Sequence, residues 1–125
     1  MEIFLWIAQS ILALGFLYSG FCKAFLGKEK VLSLGQTGVR DISTSGMHLI
    51  GILELLGVVG IILPWYLNIA PILTPITAVC FAIIMILAAG VHYRLSEPKN
   101  VRNNILLLLL SLVVAYFRFT QLQGS

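Results

Sequence analysis

Charge is scarce in this 125-residue chain: Asp, Glu, Lys and Arg make up 10% of it, against 59% hydrophobic residues. A water-soluble domain carries roughly 25% charged residues, so that class is excluded. Cysteine is equally thin, with Cys22 and Cys80 and no C-x-x-C. On helices the two thiols differ in depth by roughly 15 Å, and a disulfide needs Cα atoms within about 7 Å. They are expected to stay apart, and dithiol–quinone exchange is excluded. A Gly-rich phosphate loop, an H-E-x-x-H pair and a serine nucleophile motif are also missing. No metal site is expected. The two histidines, His48 and His92, do not suffice for haem, because axial ligands alone do not build a haem pocket.

Long apolar runs take the place of charge. Ile3–Phe25, Met47–Leu63, Ile69–Val91 and Ile105–Phe119 each approach or exceed the roughly 20 residues that cross a hydrocarbon core. They predict helices over residues 3–26, 46–63, 70–92 and 103–120 in one all-α, membrane-embedded four-helix domain spanning residues 1–125. The first run does not read as a cleaved signal peptide: Met1-Glu2 supplies no basic n-region and the run is too long. Seven of the eight Lys and Arg lie in or beside the loops after the first and third runs, and Arg118 stands alone on the other side. The positive-inside rule then predicts both basic loops in the cytoplasm and both termini outside. Once those flanks are assigned to the bilayer, no basic surface remains for nucleic acid.

Between the runs, Lys28–Leu34 fits a short interfacial helix closed by Gly35, with Gly27 capping the helix before it. Gly38 and Ser43–Gly46 read as loop and N-cap. Pro64 is expected to end the second span, with Trp65 and Tyr66 at interface depth. Pro71 fits the first turn of the third span, where Pro75 would bend the outer end. Ser96–Asn100 reads as a polar turn. The fourth span, mostly leucine with Ser111 as its polar residue, is expected to face lipid.

One residue breaks the apolar pattern. Glu54 lies inside Met47–Leu63, a run with no other acid and no Lys or Arg. A charge near mid-bilayer costs about 2.5–3.5 kcal/mol on insertion scales, so it normally faces a partner or a cavity. If the helix starts near Gly46, Glu54 is about 12 Å deep, whereas Lys23 is about 4–5 Å deep. Side chains lean toward the N-terminus of their own helix, so Lys23 leans inward and Glu54 leans back toward the loops. An ion pair between them is expected. His92, at the same boundary, is a candidate third member, either as hydrogen-bond donor or proton relay, or as a residue satisfied by water and headgroups. His48 falls on another face of Glu54's helix and reads as interfacial. Ser19 and Gly20 share a face with Lys23, and Gly51, Gly57 and Gly60 read as one small-residue stripe beside Glu54, of the kind that lets helices approach closely in lipid.

Phe16-x-x-Ser19-Gly20-x-x-Lys23, Gly51-x-x-Glu54-Leu55-x-Gly57-x-x-Gly60 followed by Pro64, and Met85-x-x-Ala88-x-x-x-His92 together resemble the DoxX-like family of small four-helix membrane proteins, from about residue 4 to residue 118. The resemblance implies a compact bundle and, in some members, association with a membrane oxidoreductase that uses quinone; other relatives act as membrane chaperones. It also points to a bacterial plasma membrane. Three readings follow. The chain binds a quinone-like lipophile at Lys23, Glu54 and His92 as an accessory redox subunit, with electrons supplied by a partner protein because the chain carries no cofactor motif. Alternatively it is a non-enzymatic assembly factor, or a small transporter, which four helices without repeats could form only as a homo-oligomer.

Overall fold

The computed structural model describes residues 2–123. Helix α1 covers Glu2–Phe25, α2 Lys28–Ser33, α3 Thr44–Leu67, α4 Leu73–Arg94 and α5 Pro98–Gln123, with a 3₁₀ turn at Thr37–Val39. No strand occurs among the described residues. Four helices, α1, α3, α4 and α5, are long and apolar enough to cross a membrane. A helix satisfies its backbone polar groups within itself, as lipid requires. The packing is ring-like: α1 on α3, α3 on α4, α4 on α5, and α5 back on α1.

Unlike a soluble protein, the bundle is apolar outside as well as at its centre. Leu14, Leu56, Leu87 and Leu109 are exposed, while Gln9, Glu54, Thr74, Asn104, Ser111 and Arg118 are buried. Its apolar centre joins Leu12 and Phe16 of α1, Ile61 of α3, Phe81 and Met85 of α4, and Val114 of α5. Phe16 and Phe81 stack across the ring with centroids 3.8 Å apart. A smaller core of Cys22, Val31, Val39 and Met47 pins α2 and the 3₁₀ turn onto the bundle end. Both cysteines are free thiols, Cys22 buried and Cys80 exposed.

The hydrogen bonds give the bundle two chemically distinct ends. Thr37 donates to Glu97, which brings the loop after α1 and the α4–α5 turn together. Arg118 donates to Glu2, which gathers the two chain ends opposite. The two loop regions that carry most of the basic residues therefore share one end.

Several boundaries differ from expectation. Pro64 does not stop α3, which runs on to Leu67 and closes on Asn68 in the left-handed region (φ 55°). A proline frees the carbonyl four residues earlier, here that of Gly60, and Thr74 Oγ1 donates to it at 3.0 Å. The lost backbone bond is replaced from the next helix. That helix begins at Leu73, so Pro75 rather than Pro71 occupies its first turn. Pro98 opens α5, in the position where a missing N–H costs nothing, so α5 starts about one turn before residue 103. Gly27 serves as the N-cap of α2 and not as the end of α1. Gly35 (φ +89°) closes α2 and Ser43 caps α3 by accepting from Gly46 N at 3.0 Å, both as expected.

Helix α5 presents the apolar outer face expected of it, and a polar inner one besides. Ile105, Leu106, Leu109 and Leu112 are exposed, but Asn104, Ser111 and Arg118 are buried. They recur every seven residues, close to two helical turns, and form an inward polar stripe. Trp65, near the end of α3, is half-buried under the Arg118 guanidinium, while Tyr66 is exposed.

Candidate functional site

Ser19 and Lys23 are four residues apart on α1, hence on one face, and that face meets α3 at unusually short range. A Cβ on Gly20 would stand 3.0 Å from the Gly51 carbonyl and 3.1 Å from Glu54 Cβ. A Cβ on Gly51 would stand 2.7 Å from the carbonyl carbon of Lys23 and run into the Ala24 amide. Only paired glycines allow this approach, and it sets the Glu54 carboxylate against the surface of α1. Lys23 Nζ donates to Glu54 Oε1 at 3.1 Å, the expected ion pair. Ser19 Oγ lies 3.2 Å from each carboxylate oxygen. The Glu54 side chain is 1% exposed and that of Lys23 18%.

Gly57 and Gly60 do not continue this surface. Three-residue steps turn a helix by about −60° each at 3.6 residues per turn, so by Gly60 the face has swung to the opposite side from Gly51. A Cβ at Gly57 would enter the Phe81 ring, and one at Gly60 would strike the Thr77 hydroxyl. These two glycines seat α4. The expected single stripe is two half-stripes with different partners.

His48 is half-buried. Its Nδ1 lies 2.8 Å from the Lys23 carbonyl, and since a carbonyl only accepts, Nδ1 carries the proton. That carbonyl belongs to the last turn of α1, where four carbonyls lack helical partners. His48 therefore caps α1 beside the ion pair.

His92 makes its hydrogen bond elsewhere. Its Nδ1 is 2.7 Å from Glu97 Oε1, and Glu97 also accepts from Thr37 Oγ1 at 2.6 and 2.8 Å and from Asn100 Nδ2 at 3.3 Å. The Thr37 hydroxyl first, and the His92 ring second, hold the Glu97 carboxyl below the usual carboxylate range. His92 Nε2 faces Gly38. No hydrogen bond joins His92 to Glu54 among the described residues.

The three expected site residues nevertheless border one space. A cavity of about 560 Å³ lies between the helices at the loop end, with Lys23, Glu54, Ser19 and His92 on its polar side and Phe16, Met85 and Leu107 on its apolar side. Such a volume falls within the roughly 300–1,000 Å³ of small-molecule sites. Exposed Tyr18 and Leu87 stand on its rim, so the space reaches the outer surface of the bundle. Gln36, Asn103 and Asn104 add amides to the wall. No three His, Cys, Asp or Glu side chains gather as a metal-ligand set among the described residues.

At the opposite end sits a second buried polar group that sequence reasoning missed. Arg118 is 0% exposed. Its Nε donates to Gln9 Oε1 at 2.8 Å, and Nη1 to Glu2 at 2.6 Å and Gln121 at 2.7 Å. Gln9 Nε2 in turn donates to the Ile61 carbonyl at 2.7 Å. The guanidinium carbon lies 4.4 Å from the Trp65 ring centre and 5.4 Å from that of Trp6, within cation–π range. One side chain thus ties α1, α3 and α5. Its signal was the seven-residue polar spacing on α5 together with a lone glutamine in the first apolar run.

No curated protein and no solved structure matches the chain. The family model described as the DoxX-like family matches residues 7–114, a stretch that contains Ser19, Lys23, Glu54, His92 and the four glycines that seat α1 and α4 on α3. This small multi-pass membrane protein belongs to the DoxX-like family.

Proposed function

We infer that this protein binds a quinone-like lipophile in the cavity at the loop end and serves as an accessory subunit of a membrane oxidoreductase, the partner supplying the electrons. The observation that carries this reading is the placement of a buried ion pair, opposite the apolar side chains of Phe16, Met85 and Leu107, on the wall of a cavity that reaches the outer surface of the bundle. An apolar ring enters from the bilayer, while Lys23 and Glu54 meet the polar head. Quinone reduction consumes protons as well as electrons, and a carboxylate with an imidazole on the same wall can deliver them. The basic loop end faces the cytoplasm, on the positive-inside rule, in a bacterial plasma membrane, and protons are taken up from that side.

A second reading has its own support. Gly20 and Gly51 press α1 against α3 around the ion pair, and a buried pair can fix helix register without binding anything. On that reading the protein is an assembly factor or chaperone, alone or as a homo-oligomer.

The deciding experiment is extraction and mass spectrometry of the gently purified protein, with an absorption spectrum. A quinone near one per chain, lost on Glu54→Gln while the fold persists, is the expected result. Bulk lipid alone, with Glu54→Gln causing aggregation, would favour the assembly reading.

A further inference from the structure

The ion pair does not use all the polar capacity of the cavity. Asn104 is nine-tenths buried (9% exposed), lines the cavity, and its Nδ2 has no hydrogen-bond partner. Gln36, from the loop between α2 and the 3₁₀ turn, also lines the cavity, and both Nε2 and Oε1 of its amide are buried and unpartnered. A buried polar group left unsatisfied costs roughly 1–3 kcal/mol, and most such groups in folded proteins have partners. Unpartnered amide atoms from two distant parts of the chain, α5 and the loop after α2, converge on one cavity.

Their free valences describe what would satisfy them. Gln36 Nε2 and Asn104 Nδ2 are donors and require acceptor oxygens. Lys23 uses one of its three N–H groups on Glu54, which leaves further donors. Gln36 Oε1 is an acceptor and requires a donor. The charges of Lys23 and Glu54 offset each other at 3.1 Å, so the wall carries no unbalanced charge to hold an ionic head.

We propose that Gln36 and Asn104 are specificity-determining residues of this cavity, and that they select a lipophile whose uncharged polar head both donates and accepts hydrogen bonds, a hydroxyl beside carbonyl or ether oxygens, over one that only accepts. This rests on the cavity being a lipophile site, as proposed above. Within the quinone class it means that the hydroquinone form, which carries hydroxyl donors, is held more tightly than the quinone.

A matched redox pair isolates the donor, since decylubiquinol and decylubiquinone share a tail and ring substituents and differ in the two hydroxyls. Binding of each to the full chain in nanodiscs, under anaerobic conditions, is compared with binding of decanoate, which has an anionic head. The expected result is a preference of about tenfold for the quinol, the size of one hydrogen bond that only the quinol can make, with decanoate weakest. Gln36→Met should shrink the preference several-fold, and Asn104→Leu should weaken both forms together. Neither substitution should lower the melting temperature of the ligand-free protein, because each removes buried amide atoms that lack a partner.

Equal binding of quinol and quinone, or variants that bind as wild type does, would overturn the selectivity and leave the lipophile reading standing. Tighter binding of decanoate would overturn the uncharged head. A sharp fall in melting temperature for both variants would make the amides structural and overturn their role in recognition. Absence of binding for every probe would overturn both this proposal and the reading beneath it.

Discussion

The two ends of the bundle bury charge in opposite ways. At the end where Glu2 meets Arg118, the guanidinium lies within cation–π range of two indoles and is hydrogen-bonded to Glu2, Gln9 and Gln121. The charge serves as a rivet through three helices. At the loop end, the Lys23–Glu54 pair stands on the wall of a cavity that also holds two unpaired amides. Both arrangements join helices, but the first closes side chains of α1, α3 and α5 around the charge and the second sets the charges on the border of a cavity. A charge inside a membrane is costly in either setting, and the difference lies in what surrounds it: side chains of three helices close around the Arg118 guanidinium, whose Nη2 alone is buried without a hydrogen-bond partner, whereas the Lys23–Glu54 pair borders a cavity.

The contrast can be broken most forcefully at Arg118. Arg118→Leu leaves Gln9 without its acceptor's partner and removes both cation–π contacts, and should cost about 3 kcal/mol, read as a large drop in thermal unfolding temperature in detergent. Binding at the far cavity should persist in whatever fraction remains folded. If stability is untouched, Arg118 is not the rivet described. Gly51→Leu tests the loop end: its side chain would meet the Lys23 and Ala24 backbone, prise α1 from α3, and cost about 1–3 kcal/mol. It should also abolish lipophile binding, whereas Gly57→Leu should destabilise comparably through Phe81 and spare the ion pair. Equal effects of the two on binding would show that the glycines do not divide between α1 and α4.

A smaller effect is expected at Thr74. Thr74→Val strands the Gly60 carbonyl that Pro64 leaves open, and should cost about 1 kcal/mol in a thermal melt. No change would mean that the carbonyl is satisfied in another way.

The mildest test is acidification of the contact between the two loops. The Glu97 carboxyl is held below its ordinary value by the Thr37 hydroxyl and the His92 ring, so its contribution is complete above the usual carboxylate range, near pH ~4. It is lost as pH falls through the lowered value. Hydrogen exchange at residues 36–40 should quicken only at such low pH, and Glu97→Gln should quicken it at neutral pH. Fast exchange in the wild type at pH 7 would mean that the loops are not held together there.

The sequence was most legible where depth alone decided the outcome. Lys23 and Glu54 could be paired from helical rise and the lean of side chains, because both quantities are fixed by backbone geometry. Four spans, the short helix after the first of them and the Ser43 cap were readable because each depends on neighbours in the chain. What escaped depended on distant partners. Pro64 looked like a stop because the hydroxyl that rescues Gly60 comes from Thr74 on the next helix. Depth made His92 a candidate neighbour of Glu54 or an interfacial residue, without pointing to Glu97, five residues further on, which holds its Nδ1. Gln36 lies in a loop with no periodicity to place it, and only the folded chain brings it to Asn104's cavity. Arg118 was the exception that could have been read, from the spacing of Asn104, Ser111 and Arg118.

Titrating decylubiquinol into nanodisc-embedded wild-type and Glu54→Gln protein, with the melting temperature of each recorded alongside, puts the difference between the two ends to its most direct test. Saturable binding to the wild type, at least about tenfold weaker in Glu54→Gln, with the melting temperature moved by less than about 4 °C, is the predicted result: the loop-end pair serves a ligand. A wild type that binds nothing, with a Glu54→Gln variant whose melting temperature collapses as that of Arg118→Leu should, would contradict the account and make both ends rivets.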